Sequence, residues 1–353
     1  MASSLSTWEG AVVAHAVASA VAFSGAQGGE FPLLSRLLHP AAAPAQSVYF
    51  WANALLSCTL LAALALRIVF LGQLTAAEAS NAGERLLAWA LLRVVTIAAL
   101  LRDPDTAELL VWAGWSLVLG VLRILSGLAK DRFETQTSNV AVTRLEQARS
   151  AGLLLTLFLL TGAMALLALH AVSDRLTLWL LLHDTLTLSS SLVLLCVRCG
   201  CHLHEAAQLA AEALPSGERR RSLLFVTDFV LEAWIDLLSL AHSATLYWLH
   251  GLSLQLVDAV LLLYIRSLGL SFWQRVTRFV SFIAVSRSLQ RAYADVTSEE
   301  LNARDEDCAI CREKLDRGKR LPCDHVFHAE CLQRWMEVKT ACPTCRRPLG
   351  WNA

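Results

Sequence analysis

Charge is what this chain has least of. Asp, Glu, Lys and Arg make up 17% of its 353 residues, while apolar residues reach 56% and the mean hydropathy is +0.50. Ordinary soluble domains carry about 25% charge. The shortage excludes a disordered chain, a collagen-like one and an ordinary solvated globular fold. Neither sign is in excess, with 30 basic and 30 acidic residues. A nucleic-acid partner wants a basic face, so none is expected. Residues 1–9 lack the basic stretch that opens a secretory signal, so the alanine-rich run after them reads as a weak membrane helix rather than a cleaved leader. The ten cysteines also lack the even spread of a disulfide scaffold. Six fall between Cys308 and Cys345, and the others are Cys58, Cys196, Cys199 and Cys201. Tight cysteine pairs with histidines between them point to metal ligation in a reducing compartment.

The few charges are segregated. Residues 299–347 hold 20 of the 60, and residues 1–101 hold only 8. A polar module therefore follows an apolar body. A membrane-spanning helix needs roughly 20 mostly apolar residues. Eight segments are candidates: 10–29, 47–70, 86–101, 109–129, 150–173, 176–197, 223–246 and 253–270. Basic residues near span ends favour the cytosolic side. With a cytosolic N-terminus, the loops on that side hold 13 Lys or Arg up to Arg291, against three on the other. The expected fold class is thus an all-α polytopic membrane bundle of about eight transmembrane helices, with both termini in the cytosol. The expected division is a multi-span domain at 1–270, a linking helix region at 271–304 and a zinc domain at 305–349.

Ionisable residues inside such a body face its interior or a wet cavity, because charge at bilayer depth is costly. Asp228, Glu232 and Asp236 recur at i, i+4 and i+8 and share one helix face. Two readings stand side by side. The stripe lines a membrane cavity that accepts polar polypeptide, or it pairs helices through Arg93, Arg123 or histidines. The C-V-R-C-G-C-H-L-H run carries Cys196, Cys199, Cys201, His202 and His204. It reads either as a metal site or as free or lipid-modified interfacial cysteines. Residues 271–294 mix apolar and basic side chains at helical spacing and read as an interfacial or linking helix.

The decisive run is C-x2-C-x11-C-x-H-x2-H-x2-C-x10-C-x2-C, formed by Cys308, Cys311, Cys323, His325, His328, Cys331, Cys342 and Cys345. Eight soft ligands fill two tetrahedral zinc sites and leave no position for water. The two zinc ions are structural, since a full shell cannot act as a Lewis acid. A stretch of about 45 residues has too small a core to fold alone and depends on such metal.

This pattern resembles the RING-H2 class of ubiquitin-ligase domains, whose ligands interleave in a cross-brace. The resemblance implies one zinc at Cys308, Cys311, His328 and Cys331, and a second at Cys323, His325, Cys342 and Cys345. It also implies a groove for a ubiquitin-conjugating enzyme at Ile310, Trp335 and Pro343, and a basic residue, Arg346, that holds donor ubiquitin. Outside the zinc run, K-D-R-F-E at 130–134, T-D-F-V-L-E at 227–232 and Y-A-D-V-T-S-E-E-L at 293–301 resemble the membrane-embedded ligases of the endoplasmic reticulum, the synoviolin and autocrine motility factor receptor group.

That resemblance implies a RING-type E3 ubiquitin-protein ligase in the endoplasmic reticulum membrane, with its RING in the cytosol. Its expected partners are a conjugating enzyme loaded with ubiquitin, misfolded or regulated membrane substrates, channel and adaptor subunits of endoplasmic-reticulum-associated degradation, and the lipid bilayer. The alternative is a non-catalytic membrane scaffold that pairs with another ligase. One departure is expected to matter. The motility factor receptor continues past its RING with ubiquitin-binding and enzyme-recruiting segments, whereas here Ala353 lies eight residues beyond Cys345.

Overall fold

The computed structural model describes residues 10–17, 45–100, 106–138, 144–210, 217–250, 256–296, 300–301, 307–312, 314–315, 317–336, 339 and 341–348. Helix α1 covers 10–17. Then come α2 (Ala45–Leu66), α3 (Ala76–Leu100), α4 (Thr106–Ser138), α5 (Arg144–Ala171), α6 (Arg175–Ala210), α7 (Gly217–His250) and α8 (Leu256–Ala292). Three short strands follow, β1 (Ala294–Val296), β2 (Gly318–Arg320) and β3 (Val326–Phe327), and then α9 (Ala329–Met336). Leucine and alanine, both strong helix formers, dominate the long helices.

Local signals set the helix ends. Helix α2 runs into a π-turn, Arg67–Leu71, which closes at Gly72 with φ +64° and a Gly72 N–H bond to the Arg67 carbonyl. Thr75 then opens α3 with a capping box. Its Oγ1 accepts from the Glu78 N–H, while the Glu78 carboxylate accepts from the Thr75 N–H at 2.8 Å. Asp174 caps α6, accepting from the Thr177 N–H at 2.8 Å. The exposed Asp174 carboxyl is held below its usual range by that backbone bond first and by the Thr177 hydroxyl second.

The chain divides into two compact units, one of Met1–Leu203 with Leu237–Arg266 and one of His204–Asp236 with Ser267–Ala353. In the first, α4 is the hub and packs against α2, α3 and α5. Leu119, Leu122, Leu125 and Leu128 of α4 meet Leu153, Leu154 and Leu157 of α5 and Leu188, Leu192 and Leu195 of α6. Gly120 permits the close approach to α3, because a Cβ there would stand 2.5 Å from the Trp89 ring. Charges inside this apolar body are paired. Arg93 donates to Ser116 at 2.7 Å and bridges to Asp184, and Arg123 donates to Thr187 at 2.9 Å. At one end, Arg85 grips Asp131, and Arg132 grips Glu78 and the Gln73 carbonyl.

The structure corrects the expected eight-span bundle. Among the described residues, four helices are long and apolar enough to cross a membrane: Ala52–Leu71, Leu109–Thr137, Leu145–Ala171 and Arg175–His204. The other expected spans fall in helices whose apolar runs charge interrupts. Glu84, Arg85 and Arg93 break α3, Asp228, Glu232 and Asp236 break α7, and Asp258 and Arg266 break α8. Of the first expected span, residues 18–29 lie outside the described residues.

The second unit has its own core. Val285 and Leu289 of α8, Tyr293, Val296 and Leu301 pack with Leu315, Leu321, Val326, Phe327, Leu332 and Met336. The strands form an antiparallel sheet in the order β1-β2-β3, with Val296 opposite Gly318 and Arg320 opposite Val326.

Candidate metal centre and the surface beside it

Three tight turns aim the thiols inward. After each comes a residue in the left-handed region: Arg312 (φ +61°), Asp324 (φ +66°) and Arg346 (φ +57°). That conformation costs a non-glycine residue roughly 1–2 kcal/mol. Each turn is closed by a backbone bond, Arg312 N–H to the Cys308 carbonyl (2.7 Å), Asp324 N–H to the Leu321 carbonyl (2.9 Å) and Arg346 N–H to the Cys342 carbonyl (3.0 Å). Strand β3 delivers His328, and the first turn of α9 delivers Cys331.

The eight ligands gather in two sets, Cys308 with Cys311, His328 and Cys331, and Cys323 with His325, Cys342 and Cys345. In each, the ligand atoms lie within 4.8 Å of one another. Sets one and two alternate along the chain, which is the cross-brace that the resemblance implied. The Nδ1 atom of His328 lies 3.2 Å from Cys311 Sγ, and its Nε2–H donates to the Lys314 carbonyl at 3.1 Å. That outer bond turns Nδ1 toward the thiols, a common way of orienting a metal-bound imidazole. His325 Nδ1 lies 3.3 Å from Cys323 Sγ.

The electrostatics of the donors fit a cation. Burial opposes the Cys308 thiolate, yet the N–H groups of Cys311, His328 and Ile310 outweigh it and bring the thiol down to about 7. Burial, followed by the charges of Cys308 and Cys311, pushes Cys331 up to about 12. Thiols so close together cannot all ionise without a positive charge among them. Two zinc ions supply it, held by the two ligand sets in a structural role.

The other expected residues are placed as follows. Ile310 is half-buried and packs against the zinc unit's core. Trp335 is half-buried on α9, its Nε1–H donating to the Ala341 carbonyl at 2.7 Å with Lys339 Nζ 5.3 Å from the ring centre. Pro343 is half-buried in the last turn, and Arg346 is exposed just after it. In the acidic stripe, two of the three carboxylates share one arginine. Arg275 of α8 bridges Glu232 and donates to Asp236 at 2.7 Å. Beside this pair Phe225 stacks on Phe282 and Phe229 on Phe279, at 3.9 and 4.0 Å. Cys196, Cys199, Cys201, His202 and His204 lie on α6 and form no metal-ligand group among the described residues. His202 meets Phe133 edge-on.

Two features escaped the sequence reading. Strand β1, upstream of the first ligand, belongs to the zinc unit's sheet. Lys319, buried in β2, donates to the Tyr293 carbonyl at 3.1 Å and pairs with Asp295 at 2.8 Å. The one signal was the Y-A-D-V stretch itself, apolar at Tyr293 and Val296 on either side of Asp295.

Comparison with known proteins agrees with this geometry. The Ring finger domain family matches residues 306–346. The family described as E3 ubiquitin-protein ligase synoviolin-like, TPR repeats, matches residues 41–288, well over half of the chain. The chain belongs to the synoviolin-like E3 ubiquitin-protein ligase family. The synoviolin-like match completes the correction of the fold class, because it describes the body as a helical-repeat region followed by the RING module, not as an eight-span bundle. Two relatives are the E3 ubiquitin protein ligases RIN2 and RIN3 of Arabidopsis thaliana. They are each 29% identical, over 319 and 332 residues, covering 84% of this chain and 55% of theirs. This synoviolin-like chain therefore spans about half the length of the curated relatives it matches.

Proposed function

We propose that this protein is a RING-type E3 ubiquitin ligase that acts at the endoplasmic reticulum membrane and feeds substrates to proteasomal degradation. Its four long apolar helices hold it to the bilayer, with the zinc domain in the cytosol. Its partners are a ubiquitin-loaded conjugating enzyme, misfolded or regulated membrane substrates, and channel or adaptor subunits of the degradation route.

The observation that carries this reading is the pair of interleaved ligand sets with Ile310, Trp335 and Pro343 left half-buried around them. All six RING cysteines are ligands, so none is free to attack a thioester. With both shells full, the zinc ions polarise no carbonyl. The domain therefore works by holding. Ile310, Trp335 and Pro343 seat the conjugating enzyme, and Arg346 steadies the donor ubiquitin through a planar fork suited to backbone carbonyls. Attack by a substrate lysine then gains rate from orientation.

The test is ubiquitin discharge to free lysine from a charged conjugating enzyme, using the full chain. Ile310→Ala is expected to cut the rate at least tenfold while two zinc ions stay bound. An unchanged rate in a variant that keeps both zinc ions overturns the groove.

A further inference from the structure

The two sides of α8 within the second unit differ sharply. Its inward side is taken. Arg275 holds Glu232 and Asp236, Phe279 and Phe282 stack on α7, and Val285 and Leu289 enter the zinc unit's core. The outward side carries Leu270, Trp273, Val280, Arg287 and Arg291. The intervals of seven, seven and four from Trp273 to Arg291 keep those residues on one face of a helix with 3.6 residues per turn. Trp273 is 66% exposed and Val280 59% exposed. Arg287 and Arg291 are exposed as well.

The charge on this face has one sign. After Asp258, α8 holds Arg266, Arg275, Arg278, Arg287 and Arg291 and no acid, and the next acid is Asp295. Arg275 is neutralised by α7. Among the described residues no ion pair engages Arg278, Arg287 or Arg291. The α7 segment stacked here by Phe225 and Phe229 runs antiparallel to α8.

We propose that this outward face lies on an anionic membrane surface and fixes the zinc unit close to the bilayer. The proposal rests on the membrane reading above. Tryptophan prefers the headgroup level. Arginine extends an apolar stem from a charged head, which suits a headgroup layer. A helix with mixed apolar and basic residues on one side is the usual form of such an anchor. From Trp273 to Arg291 the face is about 27 Å long at 1.5 Å per residue, enough to lie along the surface. An acidic protein partner would satisfy the arginines but leaves no reason for Trp273 and Val280 on the same face.

The test uses the full chain reconstituted into vesicles of phosphatidylcholine, with or without phosphatidylserine, and a photoreactive phenylalanine analogue in place of Val280. Lipid adducts are expected, and more of them with phosphatidylserine. Removing two surface arginines, Arg287→Gln with Arg291→Gln, should lower the ratio of docked to undocked helix about thirtyfold. Adducts to a protein in place of lipid overturn the proposal. So do lipid adducts indifferent both to phosphatidylserine and to the substitutions. Flotation of the chain with the vesicles separates the two readings. A chain that does not float loses the membrane reading and this proposal together. One that floats but gives no lipid adduct at position 280 loses this proposal alone. Should the double variant lose zinc, the phosphatidylserine dependence of the chain with native arginines decides.

Discussion

Trp335 does two things that substitution can pull apart. Its indole N–H holds the Ala341 carbonyl at 2.7 Å, next to the ligand Cys342, and its ring is half-buried, with one side open to a partner. Trp335→Phe keeps most of the ring but removes the donor. The Ala341 carbonyl then loses its protein partner, which costs about 1 kcal/mol, or up to about 3 kcal/mol if water cannot reach it. Trp335→Ala removes both functions. If the ring anchors the conjugating enzyme as a central aromatic hot spot, binding weakens by at least about 2 kcal/mol, close to thirtyfold. The assay is a titration of the full chain with conjugating enzyme, run beside a zinc count and a thermal melt. The expected order is clear. The Phe variant melts earlier but binds within a few-fold of the native chain, and the Ala variant loses at least thirtyfold while keeping two zinc ions. Equal binding by native and Ala chains refutes the anchor. Equal loss of binding by both variants refutes it too, since the hydrogen bond would then explain everything.

Three further outcomes follow from the geometry. Gly318→Ala should destabilise the zinc unit by about 1–3 kcal/mol through overpacking, because its Cβ would stand 2.7 Å from Val326 Cγ1 and 2.9 Å from the Phe327 carbonyl; a thermal melt unchanged from native contradicts the strand packing. Lys319→Met should loosen β1 by leaving the Tyr293 carbonyl without its donor, a cost of about 1–3 kcal/mol; faster hydrogen exchange at 294–296 with β2 and β3 still protected is the mark of it. A strong chelator should remove two zinc ions and melt the sheet and α9 together, since metal binding and folding are coupled here; a dichroism spectrum that survives metal loss speaks against a structural role.

The zinc unit was legible because its information is local. Cys308 and Cys311, or Cys342 and Cys345, announce themselves by spacing alone, and eight such ligands admit few arrangements. The body was less legible for a physical reason. An apolar run at helical spacing reads the same whether its side chains meet lipid or another helix. Leu153, Leu157 and Leu192 are fully buried against neighbouring helices, while Leu159 and Leu166 on α5 are exposed, yet all five are leucines. The sequence therefore suggests eight spans where, among the described residues, four helices qualify. The acidic stripe was visible as a periodicity, but its partner Arg275 lies 39 residues beyond Asp236, and no local pattern links them. Strand β1 was missed because three residues make too short a pattern, and its pairing with β2 is not local.

The stretches that tied the chain to its family have one thing in common: each carries a pairing of charge. In K-D-R-F-E, Asp131 takes Arg85 and Arg132 takes Glu78. In T-D-F-V-L-E and the Asp236 that follows, both Glu232 and Asp236 take Arg275. In Y-A-D-V, Asp295 takes Lys319. Apolar contacts can carry no such signature, because leucine, isoleucine and methionine replace one another in a core at small cost so long as volume is kept. A buried or half-buried charge is different. Losing one partner strands the other, and the penalty then exceeds what the pair contributed. In a body that is 56% apolar, the few charged positions are thus the ones least free to vary alone. Asp236 is nearly buried, whereas Glu232 is about one-third exposed. The cost of stranding Arg275 should accordingly be greater for Asp236→Asn than for Glu232→Gln, where water screens the loss. A thermal melt that ranks the two the other way would separate the family stretches from the pairing that explains them.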